Sequence, residues 1–90
     1  MFILTILGKE QEGAYSVANS DGEHVLYMFE HEDDAIRYAM MLEDKGNPEM
    51  HVIEVDDAPL IEACAMHDYN YTVITPNDIV IPPDTKHDFI

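Results

Sequence analysis

The sequence is poor in basic residues. Only four of its 90 residues are Lys or Arg, against 19 Asp and Glu, which gives a formal net charge of -15 at pH 7. Nucleic-acid binding needs clustered cations to neutralise phosphates, and docking on an anionic membrane surface needs them too. The shortage argues against direct binding of DNA, RNA or a membrane. It favours a basic partner protein, a divalent cation, or solubility without a specific partner.

Long apolar runs and cysteine pairs are also missing. No apolar run approaches the roughly 20 residues of a membrane span. The apolar segment 1–7 is short and lacks the basic start of a signal peptide. Cys64 is the only cysteine, so no internal disulfide can form, which agrees with a reducing compartment. We therefore expect a cytoplasmic protein.

Motifs of enzymes and cofactor sites do not occur in the sequence. There is no Gly-rich phosphate loop, no G-x-S-x-G and no H-E-x-x-H. One cysteine and five scattered histidines do not offer the paired spacing of a four-ligand zinc site. We predict no cofactor, no metal site and no catalytic residue, and we expect a binding protein rather than an enzyme.

What the sequence does contain is a series of periodic apolar blocks separated by turn signals. Strands are predicted at 2–7, 14–18, 24–29, 50–55 and 70–75, with a short one at 78–81. Asp21-Gly22 predicts a tight hairpin turn between the second and third strands. Helices are predicted from Glu32 to Lys45, closed by Gly46, and from an N-cap at Asp57. Leu60, Ile61, Cys64 and Ala65 would form the inner stripe of the second helix.

The order of these elements predicts an α+β fold. Three strands come first, and helices then alternate with strands, which favours a mixed, mainly antiparallel sheet with both helices on one face. A ferredoxin-like sandwich or a close variant has this arrangement. We expect one acidic domain over 1–83 and a short C-terminal tail over 84–90.

Two acidic stretches lie at the starts of the predicted helices. The candidate contact residues are Glu30, Glu32, Asp33, Asp34, Asp56 and Asp57. Carboxylates at a helix start interact favourably with the helix dipole, and the spacing of the acidic residues from Glu30 to Asp34 argues against a dedicated Mg²⁺ or Ca²⁺ site. Helix-start electrostatics and solvation are the simpler interpretation. A patch that binds a basic partner is the functional one.

Cys64 and His67 are three residues apart on the second predicted helix and could share a face. A neighbouring histidine can activate a thiolate, which leaves a small enzyme or ligand-binding protein as an alternative. Cys64 also falls on the apolar stripe with Leu60 and Ile61, where a free cysteine usually acts as a small buried hydrophobe.

The central block V-L-Y-M-F-E-H-E-D-D-A-I-R-Y-A at 25–39, followed by Leu42-Glu43, resembles an uncharacterised family of small acidic proteins. Gly13, Val55-Asp56-Asp57 and 80–83 extend the resemblance over most of the chain. The family is known from cyanobacteria, with related sequences in plastids, and is classed as a domain of unknown function. The resemblance implies a cyanobacterial cytoplasm, a plastid stroma, or an infected host cell with a cyanophage copy. It supplies no catalytic residues.

The function expected from these observations is a non-enzymatic interaction or regulatory module with an acidic surface that binds a basic partner protein. An alternative is a nucleic-acid mimic, whose carboxylates would occupy a DNA- or RNA-binding groove. Homodimerisation through an exposed sheet edge or through the apolar sheet face is left open.

Overall fold

A computed structural model describes residues 1–18, 21–78, 82 and 87–90 of the chain. Within these ranges it has a short 3-10 turn at Glu10–Glu12, six strands and two helices. In chain order they are β1 (Phe2–Ile6), β2 (Tyr15–Ala18), β3 (His24–Phe29), α1 (Glu32–Asp44), β4 (Met50–Glu54), α2 (Asp57–Met66), β5 (Asn70–Ile74) and β6 (His87–Phe89).

The first five predicted strands are confirmed to within a residue or two at their ends. Strands β2 and β3 form the predicted antiparallel hairpin, with Val17 opposite Val25. Gly22 in its turn has a φ of 81°, a conformation that glycine adopts without steric cost. Residues 79–81 of the predicted short strand lie outside the described residues, and Asp78 lies in a turn that begins at Thr75.

Helix α1 follows the prediction closely. Its buried residues are Ala35, Tyr38, Ala39 and Leu42, the i, i+3, i+4, i+7 stripe of an amphipathic helix. Gly46 has a φ of 89° and terminates the helix as a left-handed residue. The backbone nitrogen and the side-chain amide of Asn47 both donate to the Leu42 carbonyl, at 3.1 and 3.0 Å.

Helix α2 differs from the prediction in its start and in its buried stripe. Its N-cap is Asp56, and Asp57 is the first helical residue. The Oδ1 atom of Asp57 accepts a hydrogen bond from the Ala58 nitrogen at 3.0 Å. Of the predicted stripe, Cys64 is buried, Leu60 and Ile61 are half-buried, and Ala65 is exposed. Helix α2 is thus covered much less completely than α1.

Strand β3 lies at the centre of the sheet. One edge pairs in parallel with β5, from Val25 opposite Asn70 to Phe29 opposite Ile74. Its other edge pairs antiparallel with β2 near its start and with β1 at its end. Strand β4 pairs antiparallel with β1, and β6 pairs antiparallel with β2. The predicted α+β class with a mainly antiparallel sheet is therefore confirmed, and the β4-β1-β3-β2 order is compatible with a ferredoxin-like sheet.

The two helices pack against opposite faces of the sheet, which corrects the expected placement of both on one face. Leu4, Phe29 and Ile74 pack with α1, whereas the adjacent residues Ile3, Met28 and Val73 pack in a separate cluster with α2. Neighbouring residues of a strand point to opposite faces, so the two clusters lie on the two sides of one sheet. Both sides of the sheet therefore carry buried residues.

The core on the α1 face is built around aromatic rings. Tyr15 makes edge contacts with Tyr27, Tyr38 and Phe89 at centroid distances of 5.9, 5.5 and 5.9 Å, and Tyr38 lies 5.5 Å from Phe29. The hydroxyls of Tyr15 and Tyr38 are 3.0 Å apart and buried. Their hydrogen bond satisfies two polar groups that would otherwise be costly to bury.

The segment expected to be a C-terminal tail contributes a strand to the sheet. Residues 87–89 form β6 beside β2, and the Ile90 backbone exchanges hydrogen bonds with Ala14 at 2.7 and 2.9 Å. Residues 84–86 lie outside the described residues. The sequence lacked a periodic signal here because β6 spans three residues only.

Candidate functional site

The carboxyl ends of three strands meet at one end of the sheet. Phe2 lies opposite both Phe29 of β3 and Glu54 of β4, and Ile74 of β5 lies beside Phe29. Strands β3, β4 and β5 therefore run in one direction, because β1 is antiparallel to β3 and β4. Both helices begin just beyond this end, one on each face. Two strand spacings, roughly 10 Å, separate β3 from β4.

This topology brings the two acidic stretches to the same end of the molecule. We call it the acidic end; it comprises Glu30, Glu32, Asp33, Asp34, Glu54, Asp56, Asp57 and Asp78. Six of these residues were singled out from the sequence. Glu54 and Asp78 were not, because only the strand directions show that β4 and β5 end beside β3.

The carboxylates at the start of α1 are mostly free to contact a partner. Glu30, Glu32 and Asp33 are exposed, and the Glu30 Oε1 atom lies 3.4 Å from the His31 Nε2 atom. Asp34 differs because its side chain is only 10 % exposed and its Oδ1 atom contacts the Arg37 Nη1 atom at 3.2 Å. Asp34 therefore acts mainly within α1, by pairing with Arg37. This is the role that the simpler interpretation, helix-start electrostatics, predicted for the stretch.

An open groove of about 730 Å³ lies at the start of α2. Its lining combines carboxylates with apolar groups: Met1, Glu54, Val55, Asp56, Asp57, Pro59, Leu60 and Ala63. Backbone hydrogen bonds between Met1 and Val55, at 2.8 and 3.1 Å, continue the β1-β4 ladder along it. The groove can therefore offer an apolar floor and an acidic rim to the same ligand.

Apart from the Met1 ammonium group, which lies in the groove and donates to the Val55 carbonyl, cations are sparse near the acidic end among the described residues. Among the described side chains, Arg37 is the only Lys or Arg close to it, one turn into α1. Lys9 follows β1 and Lys45 follows α1, so both lie at the opposite end of the sheet. That opposite end also carries acids, including Glu10, whose Oε1 atom lies 3.6 Å from the His51 Nδ1 atom.

Cys64 and His67 line one pocket, but the environment of the thiol is unsuited to nucleophilic catalysis. The Cys64 side chain is buried, and burial raises the pKa of its thiol. A nucleophilic cysteine needs the opposite, a lowered pKa that favours the thiolate. His67 is exposed, and its ring stacks on Tyr69 at 5.6 Å. The pair shares a pocket without the electrostatics of a catalytic dyad.

Metal-binding clusters and membrane-spanning helices are both missing from the described part of the chain. No three His, Cys, Asp or Glu side chains in it are grouped so that they could hold a metal ion. None of its helices combines the length and apolarity needed to cross a membrane.

Comparison with protein families gives a match. A family model described as a domain of unknown function (DUF3110) matches residues 1–84, which agrees with the resemblance to an uncharacterised family. No curated protein and no solved structure matches the chain.

Proposed function

We propose that this chain, which belongs to the family described as a domain of unknown function (DUF3110), is a non-enzymatic module that binds a basic partner protein through its acidic end. The observation that carries the proposal is the convergence of both helix starts on one end of the sheet. Carboxylates that are more than 20 residues apart in the sequence thereby face the same partner.

Exposure of these carboxylates suits them to binding rather than to folding. A single exposed ion pair contributes only about 0 to 1 kcal/mol, so affinity has to come from several contacts and from the apolar floor of the groove. The summed field of many carboxylates accelerates encounter with a basic surface and weakens as salt is added. The partner is therefore expected to present Lys or Arg around an apolar side chain.

The test compares two neutralised variants that have the same net charge. In the first, four exposed carboxylates of the acidic end are changed: Glu30→Gln, Glu32→Gln, Asp33→Asn and Asp57→Asn. The control carries four changes at the opposite end of the sheet: Glu10→Gln, Glu43→Gln, Asp44→Asn and Glu49→Gln. Amides are used instead of lysines because a cation at a helix start would oppose the helix dipole.

Wild type and both variants are used as bait in a cyanobacterial lysate at low and high salt. We expect a basic protein that is retained by wild type and the control, lost from the acidic-end variant, and released by salt. Equal retention by both variants would refute a role for this end. Capture of nucleic-acid-binding proteins, with release by added DNA or RNA, would favour nucleic-acid mimicry instead.

The proposal also covers the cellular compartment in which the protein acts. An acidic module without disulfides, with its resemblance to cyanobacterial and plastid proteins, suits a cyanobacterial cytoplasm, a plastid stroma or the cytoplasm of a cyanophage-infected cell. Light scattering of the purified chain decides whether it acts as a monomer or a homodimer.

A further inference from the structure

A second cavity lies between α2 and the sheet, and the acidic end does not use it. Its volume is about 370 Å³, and the described residues that line it are Ala14, Leu26, Leu60, Ala63, Cys64, His67, Tyr69 and Ile90. The cavity and the acidic groove share only Leu60 and Ala63. Cys64, His67 and Tyr69 line the cavity and not the groove, so the two can be tested separately.

The walls of this cavity are mainly apolar. Leu26 and Cys64 are buried, at 2 % and 3 % exposure, and Leu60, Tyr69 and Ile90 are half-buried. The imidazole of His67 stacks on the Tyr69 ring with an interplanar angle of 23°. The ring of His24 contacts Tyr69 edge-on at 6.0 Å. Aromatic and aliphatic side chains therefore both line the cavity.

Both the size and the lining suit a small molecule. Pockets that bind small ligands have volumes of roughly 300 to 1,000 Å³ and few polar groups. Water inside would fill the cavity at about 30 Å³ per molecule and find few hydrogen-bonding partners on its walls. Replacing such poorly held water with an apolar ligand is favourable.

The charge of the protein restricts the ligand further. A formal net charge of -15 repels anions, and the buried thiol and leucines offer no counter-charge for an ionic group. We propose that this cavity binds an uncharged, apolar small molecule with a flat ring, which would contact the His67 and Tyr69 rings. This binding goes beyond the proposed docking function and does not depend on it.

The first experiment uses two dyes that differ by one charge. N-phenyl-1-naphthylamine is uncharged, and 8-anilino-1-naphthalenesulfonate adds a sulfonate to the same rings. Fluorescence titration of the purified chain is expected to show saturable, one-to-one binding of the uncharged dye. The sulfonate should bind at least about tenfold more weakly, a difference of about 1.4 kcal/mol.

Two leucine variants test whether the dye binds beside α2. Ala63 lines the acidic groove as well as the cavity, so the Cys64 readout below separates the two. Ala63→Leu places an isobutyl group where Ala63 lines the cavity, and Ala65→Leu makes the same change at an exposed position outside the described lining. Leucine is a strong helix former, so both variants should keep the α2 helix, which circular dichroism checks. We expect Ala63→Leu to weaken dye binding at least about fivefold and Ala65→Leu to leave it unchanged.

Alkylation of Cys64 gives a site-specific readout. Because Cys64 is the only cysteine and lines the cavity, bound dye should slow its reaction with N-ethylmaleimide several-fold.

The proposal is overturned if the uncharged dye does not saturate, if both leucine variants bind it equally, or if the alkylation rate does not change. It is equally overturned if the sulfonate binds as tightly as the uncharged dye.

Discussion

The two faces of the sheet are covered by helices of similar length but very different packing. On one face, α1 buries Ala35, Tyr38, Ala39 and Leu42 over a cluster of tyrosines and phenylalanines. On the other, α2 fully buries only Cys64, and two openings lie along its length. A chain of 90 residues has few apolar side chains to spare. The comparison suggests that stability resides mainly on the α1 face and binding on the α2 face.

The largest expected effect on stability comes from Leu42→Ala on α1. Leu60→Ala on α2 is the matched comparison. Leu42 is fully buried on α1, whereas Leu60 is half-buried on α2. Leu42→Ala should lower the free energy of unfolding by about 3 kcal/mol, because it removes buried surface and leaves a cavity. Leu60→Ala should cost about 1 kcal/mol. Urea unfolding followed by circular dichroism measures both, and equal losses would contradict the proposed division of roles.

A smaller loss of stability is expected from a substitution at Gly13, which lies against Ile90 on the α2 face. Gly13 has a φ of 112°, and a Cβ built on it would overlap the carbonyl oxygen of Ile90. Gly13→Ala should cost about 2 to 3 kcal/mol, since left-handed strain adds to the overlap. Gly8→Ala is the control, because Gly8 has a φ of 82° with open space around it, and strain alone should cost about 1 kcal/mol. Thermal unfolding that shifts equally in both would show that the Ile90 contact contributes nothing.

The third effect concerns alkaline pH and the tyrosines of the α1 face. Burial raises the pKa of Tyr15 from 10.0 to about 12, and burial also raises the pKa values of Tyr27 and Tyr38. The folded state therefore holds these protons more tightly than the unfolded state. Their contribution to stability is complete below pH 10 and is lost as the pH rises through the folded pKa values. For Tyr15 the loss by pH 12 is about 2 kcal/mol.

Urea unfolding at pH 8 to pH 12 measures this loss. Tyr15→Phe removes one ionising group, so its stability should fall less steeply between pH 10 and pH 12 than that of wild type. An unchanged slope would show that the Tyr15 hydroxyl ionises as easily in the folded chain as in the unfolded one. Tyr15→Phe also leaves the Tyr38 hydroxyl without its partner, which costs about 1 to 2 kcal/mol below pH 10.

Part of the candidate site could be predicted from local sequence signals. Acidic residues before an apolar helical stripe placed Glu32, Asp33 and Asp34 at the start of α1, and the N-cap preference of Asp placed the start of α2 to within one residue of Asp57. Whether the two helix starts share one end of the sheet depends on the direction of β4 relative to β3. Neither strand contains that information, because β1 sets it by pairing with both.

By itself, the sequence determined the α+β class, the extents of the main strands and helices, and the acidic surface, because propensity, periodicity and charge act over a few residues. Only the tertiary structure decided that the helices lie on opposite faces, that residues 87–89 join the sheet, and that a cavity remains beside Cys64. These features depend on strand pairing between distant segments and on how completely each helix covers the sheet. No local pattern encodes either, because both are settled when the whole chain packs.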